Sequence, residues 1–84
     1  MRIRNSARKH GIADPDILHV VRHAVAGRRL DQDDALPRTI VLGPDRAGNL
    51  LEIVVVHEDD SADLVIHAMR MRPHYRNLLP HDGD

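Results

Sequence analysis

The segment from Val65 to Leu79, VIHAMRMRPHYRNLL, combines three arginines, two histidines and the chain's only tyrosine where a predicted strand meets a predicted helix. Cleavage of RNA by its own 2′-hydroxyl requires a base, cations that stabilise the phosphorane, and an acid for the departing 5′-oxygen. Arginine suits the cationic task and histidine suits the two proton transfers. The residue types are compatible with a phosphate-handling site, although by themselves they favour a solvated strand end whose arginines maintain solubility.

Side chains with suitable types for this reaction are His67, Arg70, Arg72, His74, Tyr75 and, earlier in the chain, His10. Alternation along a strand places Arg70 on the face of Ala68 and His67 on the opposite face. Arg72 follows Arg70 on the same predicted face, beyond the core. His67 is therefore the weaker candidate, and the arginines are the stronger ones.

Other titratable residues give weaker signals. The basic tetrapeptide Arg8-Lys9-His10-Gly11 can present a ring and two cations to a phosphodiester, or can simply complement a helix dipole. His19 and His23 are spaced as in a zinc-protease helix, but Val20 replaces the catalytic glutamate, so we predict a solvated helix face and no metal site. A loop-capping role for His57 is at least as well supported as a catalytic one. No P-loop or glycine-rich dinucleotide motif is present, and no cofactor is expected.

The composition predicts one domain, 1–84, with an aliphatic core, because the sequence has one tyrosine and no phenylalanine or tryptophan. Base stacking on aromatic side chains is then nearly unavailable, which argues against a sequence-reading RNA-binding module. The absence of cysteine excludes disulfides and thiolate metal sites. No apolar run approaches the length of a membrane span, and no apolar signal region is visible, so a cytoplasmic protein is expected.

The net charge of −1 hides an uneven distribution along the chain. Residues 1–30 contain seven basic and two acidic residues, residues 31–63 contain two basic and nine acidic residues, and residues 64–84 contain three basic and two acidic residues. If the fold brings the two basic ends together, they form a surface that attracts nucleic acid. The acidic middle would repel nucleic acid or dock a basic partner, so charge alone does not decide.

Local signals predict two N-terminal helices. Asn5 or Ser6 caps a short helix that Gly11 ends. Asp14-Pro15-Asp16 starts a second helix, 15–26, with a proline and acids suited to its first turn. An apolar stripe follows at helical spacing: Ile17, Val20, Val21, Ala24 and Val25.

Strands are predicted at Arg28–Leu30 on an edge, at Thr39–Leu42, at Leu50–His57 and at Leu64–Met71. On the strongest of them, Glu52 lies on the face opposite Leu51 and Ile53. Pro73 starts a final short helix, and residues 80–84 form a frayed tail. This order predicts an α+β fold: a small antiparallel sheet of three to four strands with two N-terminal helices and a short C-terminal helix.

Three segments occur in a recognisable order over about residues 7–79. They are Lys9-His10-Gly11-Ile12 before an amphipathic helix, a glycine-bearing hairpin loop before the aliphatic strand Leu50–Val56, and Ile66-His67-Ala68-Met69-Arg70 before a basic terminal helix. Their joint order and spacing resemble the small BrnT-type toxins of bacterial type II toxin–antitoxin modules, which are ribonucleases with a RelE-like fold.

The resemblance implies a metal-independent endoribonuclease toxin that a cognate antitoxin neutralises. Together with the residue types, it gives the catalytic candidates His10, Arg70, Arg72 and Tyr75 and the RNA-binding candidates Arg8, Lys9, His74 and Arg76. Expected partners are the antitoxin and an RNA substrate, in a homo-oligomer or a toxin–antitoxin hetero-oligomer. Met69 stands where the family has an arginine, so the alternative function is a non-catalytic protein-interaction module of the same fold.

Overall fold

The computed structural model describes residues 1–30, 37–58 and 63–80. The strands in these ranges are β1 (Arg2–Ile3), β2 (Ala26–Leu30), β3 (Arg38–Pro44), β4 (Leu50–Val56) and β5 (Leu64–Arg70). The helix α1 is Asp14–Arg22, and two 3₁₀ helices lie at Asn5–Arg8 and Pro73–Leu78. Within the described ranges, no helix has the length and apolar character needed to span a membrane.

The five strands form one mixed sheet in the order β1-β5-β4-β3-β2. Neighbouring strands from β2 to β5 pair antiparallel, whereas β1 pairs parallel with β5 through Arg2 and Ile3. The Arg4 N–H extends this pairing by donating to the Val65 carbonyl at 2.9 Å. The segment before the first 3₁₀ helix therefore covers part of the outer edge of β5.

The sequence predicts a RelE/BrnT-like architecture, an antiparallel sheet of three to four strands with two N-terminal helices and a short C-terminal helix. This prediction is wrong. The sheet has five strands and is mixed, and the described residues contain one α-helix. In place of a first helix the chain forms β1 and a four-residue 3₁₀ helix, because Arg4 at the N-cap offers no capping oxygen. The C-terminal helix is also 3₁₀. Only the broader α+β class agrees with the prediction.

The second predicted helix ends earlier than its apolar stripe suggests, at Arg22 rather than at residue 26. The Val25 N–H donates to the Leu42 carbonyl at 2.9 Å, and β2 begins at the next residue. Pairing with β3 thus takes precedence over helical continuation. The three central predicted strands are confirmed, with small changes at their ends. Apart from its first residue, the predicted tail at 80–84 lies outside the described residues.

The helix α1 packs on one face of the sheet, here called the helix face. The core on this face is aliphatic and consists of Ala7, Ile17, Val20, Leu51, Ile53, Val55, Val65 and Ala68. Gly43 on β3 lets the end of the helix approach closely, because a Cβ there would lie 3.2 Å from the Ala24 Cα and 3.3 Å from the His23 carbonyl oxygen. The bare backbone of Gly43 therefore sets how near α1 comes to the sheet.

Strand β5 contains a bulge that simple alternation does not predict. His67 and Val65 pair with two successive residues of β4, so Ile66 between them is an extra residue. As a result, Val65 and Ala68 both enter the core of the helix face, although they are three positions apart. His67 stays on the opposite face.

The face opposite α1, here called the distal face, is also buried. Ile40, Leu42 and Glu52 lie on it and are 0 % exposed, and the register places Leu42 opposite Glu52. The chain after β5 runs over this face, since the second 3₁₀ helix contacts β2. A sheet buried on both sides explains why Glu52 is inside the molecule although it points away from α1.

Candidate functional site

Glu52 is the buried charged residue of the described chain, at 0 % exposure. Its Oε2 accepts hydrogen bonds from His67 Nε2 at 2.9 Å and from Arg72 Nη2 at 2.7 Å. Its Oε1 accepts from the Arg72 backbone N–H at 2.9 Å and from Arg72 Nε at 3.1 Å. These three residues, here called the carboxylate cluster, join β4, β5 and the residue before the second 3₁₀ helix.

The carboxylate cluster keeps Glu52 ionised. Burial alone would raise the pKa of Glu52, but the hydrogen bonds from the Arg72 side chain and backbone and from His67 outweigh it, so this pKa lies below its ordinary value. The hydrogen bond to Glu52 likewise raises the pKa of the Arg72 guanidinium, against a smaller opposing effect of burial. A buried carboxylate with charged partners is stable in the interior because its oxygens are satisfied.

The His67 ring is fixed by this arrangement. Because an ionised carboxylate can only accept, His67 Nε2 carries the proton in the hydrogen bond to Glu52. The other nitrogen, Nδ1, is then the ring position left to exchange a proton. The His67 side chain is 25 % exposed, so the ring is reachable from solvent while its hydrogen bond to Glu52 is internal. A carboxylate behind a histidine sets the tautomer and the orientation of the ring.

His10 lies beside His67. The centroids of the two rings are 6.0 Å apart, and the rings meet edge to face at 77°. The first 3₁₀ helix packs against β5, with the Ser6 hydroxyl donating to the Ile66 carbonyl at 3.2 Å, and this contact carries the following residues towards His67. Two titratable rings from distant parts of the chain are thereby brought into one place.

Tyr75 and His74 extend the carboxylate cluster on its outer side. The Arg72 guanidinium carbon lies 5.8 Å from the centre of the Tyr75 ring, a cation–π contact, and the His74 ring lies 4.1 Å from the Tyr75 ring. The Tyr75 N–H also donates to the Arg72 carbonyl at 3.1 Å, in the first turn of the second 3₁₀ helix. Arg72, Tyr75 and His74, three of the predicted site residues, therefore form one contiguous group.

Arg70 and Arg72 do not share a strand face as predicted. β5 ends at Arg70, which pairs with Leu51 and so belongs to the helix face, where its side chain is exposed. Arg72 lies beyond the strand and turns to Glu52 on the distal face. The alternation rule fails here because it holds only while the chain remains a strand.

The remaining predicted cations differ in whether an acidic side chain already pairs with them. Arg8 donates from Nε and Nη2 to the Asp14 carboxylate at 3.0 and 2.9 Å and from Nη1 to Asn5 at 2.8 Å. Its charge is therefore balanced locally. Lys9, at the end of the first 3₁₀ helix, and Arg76 are exposed. Lys9 directly precedes His10, so it is the predicted phosphate-side cation nearest in sequence to the two rings.

The other histidines within the described ranges, His19, His23 and His57, have structural partners. His57 Nε2 lies 2.9 Å from the Thr39 hydroxyl and its Nδ1 lies 3.3 Å from the Asp63 carboxylate. His19 and His23 stack with ring centroids 4.4 Å apart. Within residues 1–30, 37–58 and 63–80, no group of three or more histidine, cysteine or acidic side chains is arranged to hold a metal ion.

The sequence predicts the correct face for Glu52 but no role for it, and it favours the arginines over His67. A signal was present in the strand LLEIVVV, where one acid interrupts an otherwise apolar run. A charged residue in a strand buried on both faces needs hydrogen-bond donors or a charged partner, and His67 and Arg72 are the nearby choices. The proximity of His10 had no local signal, because 57 positions separate it from His67.

Comparison with known proteins returned no match: no protein-family model, no curated protein and no solved structure is similar to this chain. The resemblance to BrnT-type toxins therefore remains a prediction from the order of the segments.

Proposed function

We propose that this chain is a metal-independent endoribonuclease that acts as the toxin of a bacterial toxin–antitoxin module. The observation that carries the proposal is the 6.0 Å approach of the His10 and His67 rings, one of which is held by the buried Glu52 carboxylate. Two imidazoles within reach of one phosphodiester supply both proton transfers of RNA cleavage. The order of segments shared with BrnT-type toxins supports the same reaction.

In the proposed reaction, His67 Nδ1 removes the proton of the ribose 2′-hydroxyl. The 2′-oxygen then bonds to phosphorus as the bond to the 5′-oxygen breaks, and His10 donates a proton to that departing oxygen. The products are a 2′,3′-cyclic phosphate and a 5′-hydroxyl. Glu52 acts through His67, because its hydrogen bond to Nε2 fixes the orientation and tautomer of the ring that takes the proton.

The exposed cations take the electrostatic part of the reaction. Lys9 is exposed and directly precedes His10, so we assign it to the phosphate oxygens. Arg70 is exposed at the end of β5 on the face opposite His67, and its assignment to the phosphate comes from the resemblance to BrnT-type toxins. Arg72 is assigned as a positioning residue, since its guanidinium holds Glu52. Tyr75 packs on Arg72 and is assigned to the same supporting group.

A second candidate function is a non-catalytic protein-interaction module. The observation that favours it is the internal pairing of two predicted RNA-facing cations, Arg8 with Asp14 and Arg72 with Glu52. Under this alternative the carboxylate cluster only anchors the second 3₁₀ helix to the sheet. The exposed basic residues then serve solubility or a protein partner.

Induced expression in a bacterial host separates the two candidates. The nuclease predicts slowed growth, fragmented RNA with 2′,3′-cyclic phosphate ends, and rescue by the cognate antitoxin. Arg70→Ala should abolish growth inhibition and RNA cleavage while leaving the fold intact, and Arg28→Ala, an exposed arginine on β2, is the matched control. Normal growth with intact RNA would favour the interaction module. Full activity of Arg70→Ala would remove Arg70 from the mechanism.

A further inference from the structure

A concave site lies along α1 and shares no residue with the carboxylate cluster. It is a cavity of about 310 Å³, lined by Pro15, Leu18, His19, Arg22, His23 and Arg46. The first five positions recur at the three- and four-residue spacing that places side chains on one side of a helix. Arg46 comes from the turn between β3 and β4 and forms the opposite wall.

The wall formed by Arg46 is anchored to the first turn of α1. The Asp16 carboxylate accepts from Arg46 Nε at 2.9 Å, from the Arg46 backbone N–H at 3.1 Å and from Nη2 at 3.5 Å. The side-chain hydrogen bond is the larger cause of a lowered pKa for Asp16, followed by the backbone hydrogen bond. The turn is therefore held against the helix, and the cavity between them has a defined shape.

The histidine pair is also oriented. His19 Nδ1 donates to the Pro44 carbonyl at 2.9 Å, because a carbonyl can only accept, so Nε2 is the free nitrogen of that ring. The His23 ring stacks on it at 4.4 Å with a tilt of 37°. Together with the apolar side chains of Leu18 and Pro15, the two stacked rings line the cavity beside Arg22.

The charge of the cavity favours an anion. Arg22 is exposed, and no ion pair of Arg22 is present among the residues that the structure describes. The two carboxylates near the turn are already engaged, Asp16 by Arg46 and Asp45 by the backbone and side chain of Asn49. A guanidinium binds phosphate through parallel hydrogen bonds, and bases stack on aromatic rings such as those of histidine.

We propose that this cavity binds a nucleotide, with the phosphate on Arg22 and the base against the His19–His23 pair. The volume of about 310 Å³ lies at the small end of the range for organic ligands and exceeds what inorganic phosphate would fill. The nucleotide is a free mononucleotide or one unit of an RNA chain. The site goes beyond the proposed nuclease reaction, because none of its residues takes part in the two proton transfers, and nucleotide binding is measured without any cleavage.

The test is a titration of the purified protein followed by NMR, with signals assigned for the histidine and arginine side chains. The probes are adenosine 5′-monophosphate, adenosine, inorganic phosphate and a non-cleavable 2′-deoxy tetranucleotide. Adenosine 5′-monophosphate should shift the signals of His19, His23 and Arg22 in the millimolar range or below. Adenosine and inorganic phosphate should each bind at least about tenfold more weakly, since each lacks one of the two contacts.

Arg22→Gln should weaken binding of adenosine 5′-monophosphate by about tenfold or more, because it removes the charge-assisted contact. Arg28→Gln on the distal face is the matched control and should bind as the unchanged protein does. Tighter binding of the tetranucleotide at the same signals identifies a nucleic-acid chain as the source, and tighter binding of the mononucleotide identifies a free nucleotide. No shift at His19 and His23, or equal binding by adenosine or by inorganic phosphate, would overturn the proposal.

Discussion

His67 Nε2 lies 2.9 Å from Glu52 Oε2, across two neighbouring strands, with the carboxylate fully buried and the imidazole partly exposed. The pair therefore connects the interior of the sheet to its surface. Arg72 completes the arrangement from the other side of the carboxylate. The same contact affects both folding and the proposed proton transfer. Different variants separate these two effects.

Replacing Glu52 by glutamine should lower the free energy of unfolding by about 2 kcal/mol, because a buried amide carries no charge to pair with Arg72 and accepts a weaker hydrogen bond from His67. Urea denaturation followed by circular dichroism measures the change. Glu58→Gln is the control, since Glu58 pairs with Arg2 near the surface and its loss should cost less than about 0.5 kcal/mol. Equal effects of the two variants would contradict a stabilising role for the cluster.

The stability of the protein should fall in acid. Glu52, Asp14, Asp16 and Asp45 all have a pKa below the ordinary carboxyl value in the folded chain. Each therefore favours folding above its unfolded pKa of about 4, and this contribution is lost as the pH falls through the lower, folded pKa. Melting temperatures measured from about pH 7 to about pH 2 should decline mainly below about pH 4.

The acid effect should be smaller in Glu52→Gln, because one of the four carboxyl groups named above, whose pKa is lowered by folding, is then absent. Parallel melting curves of the two proteins should converge as the pH is lowered. A constant difference in melting temperature at every pH would show that Glu52 does not contribute through its ionisation.

Gly43→Ala should lower the free energy of unfolding by about 1–3 kcal/mol, because the added Cβ meets the backbone of Ala24 and His23 at 3.2–3.3 Å. Ala47→Ser in the exposed β3–β4 turn adds one atom without such contacts and serves as the control. Thermal unfolding of both variants measures the difference. A neutral Gly43→Ala would mean that α1 does not approach β3 as closely as described.

The tautomer of His67 is directly observable. The hydrogen bond to Glu52 predicts that neutral His67 carries its proton on Nε2, and nitrogen NMR of the ring distinguishes this form from the Nδ1–H form. In Glu52→Gln the preference should weaken, because the glutamine side chain offers either an oxygen or an amide group to the ring. A dominant Nδ1–H form in the unchanged protein would contradict the proposed role of Nδ1 as the base.

The sequence predicts the central strands because the signal for each strand, a run of apolar β-branched residues, lies within the segment itself. Leu50–Val56 was found almost to the residue. The N-terminal segment was misjudged since Asn5 and Ser6 have the side chains of helix caps, yet Arg2 and Ile3 pair with β5, a contact made 60 or more positions later. Distant pairing of this kind leaves no periodic trace in the segment itself.

The candidate site can be predicted only in part, because it also depends on contacts that leave no pattern in the sequence. The basic and titratable residues around the end of β5 were identified by type, and Arg72, His74 and Tyr75 do lie together. The bulge at Ile66 and the end of the strand at Arg70 decide which face each side chain takes, and neither is visible in residue types. The role of Glu52 follows from the burial of the distal face, which depends on where the chain after β5 packs.

The most direct test of the proposed nuclease is RNA cleavage by the purified protein in the presence of a metal chelator, comparing His67→Gln, His10→Gln and His57→Gln. The first two variants should lose cleavage by about a hundredfold or more, because each removes one proton transfer. His57→Gln should cleave as the unchanged protein does, since His57 contacts Thr39 and Asp63 and not the paired rings. Folded His67→Gln and His10→Gln proteins that cleave at the unchanged rate, or no cleavage by the unchanged protein, would contradict the proposal.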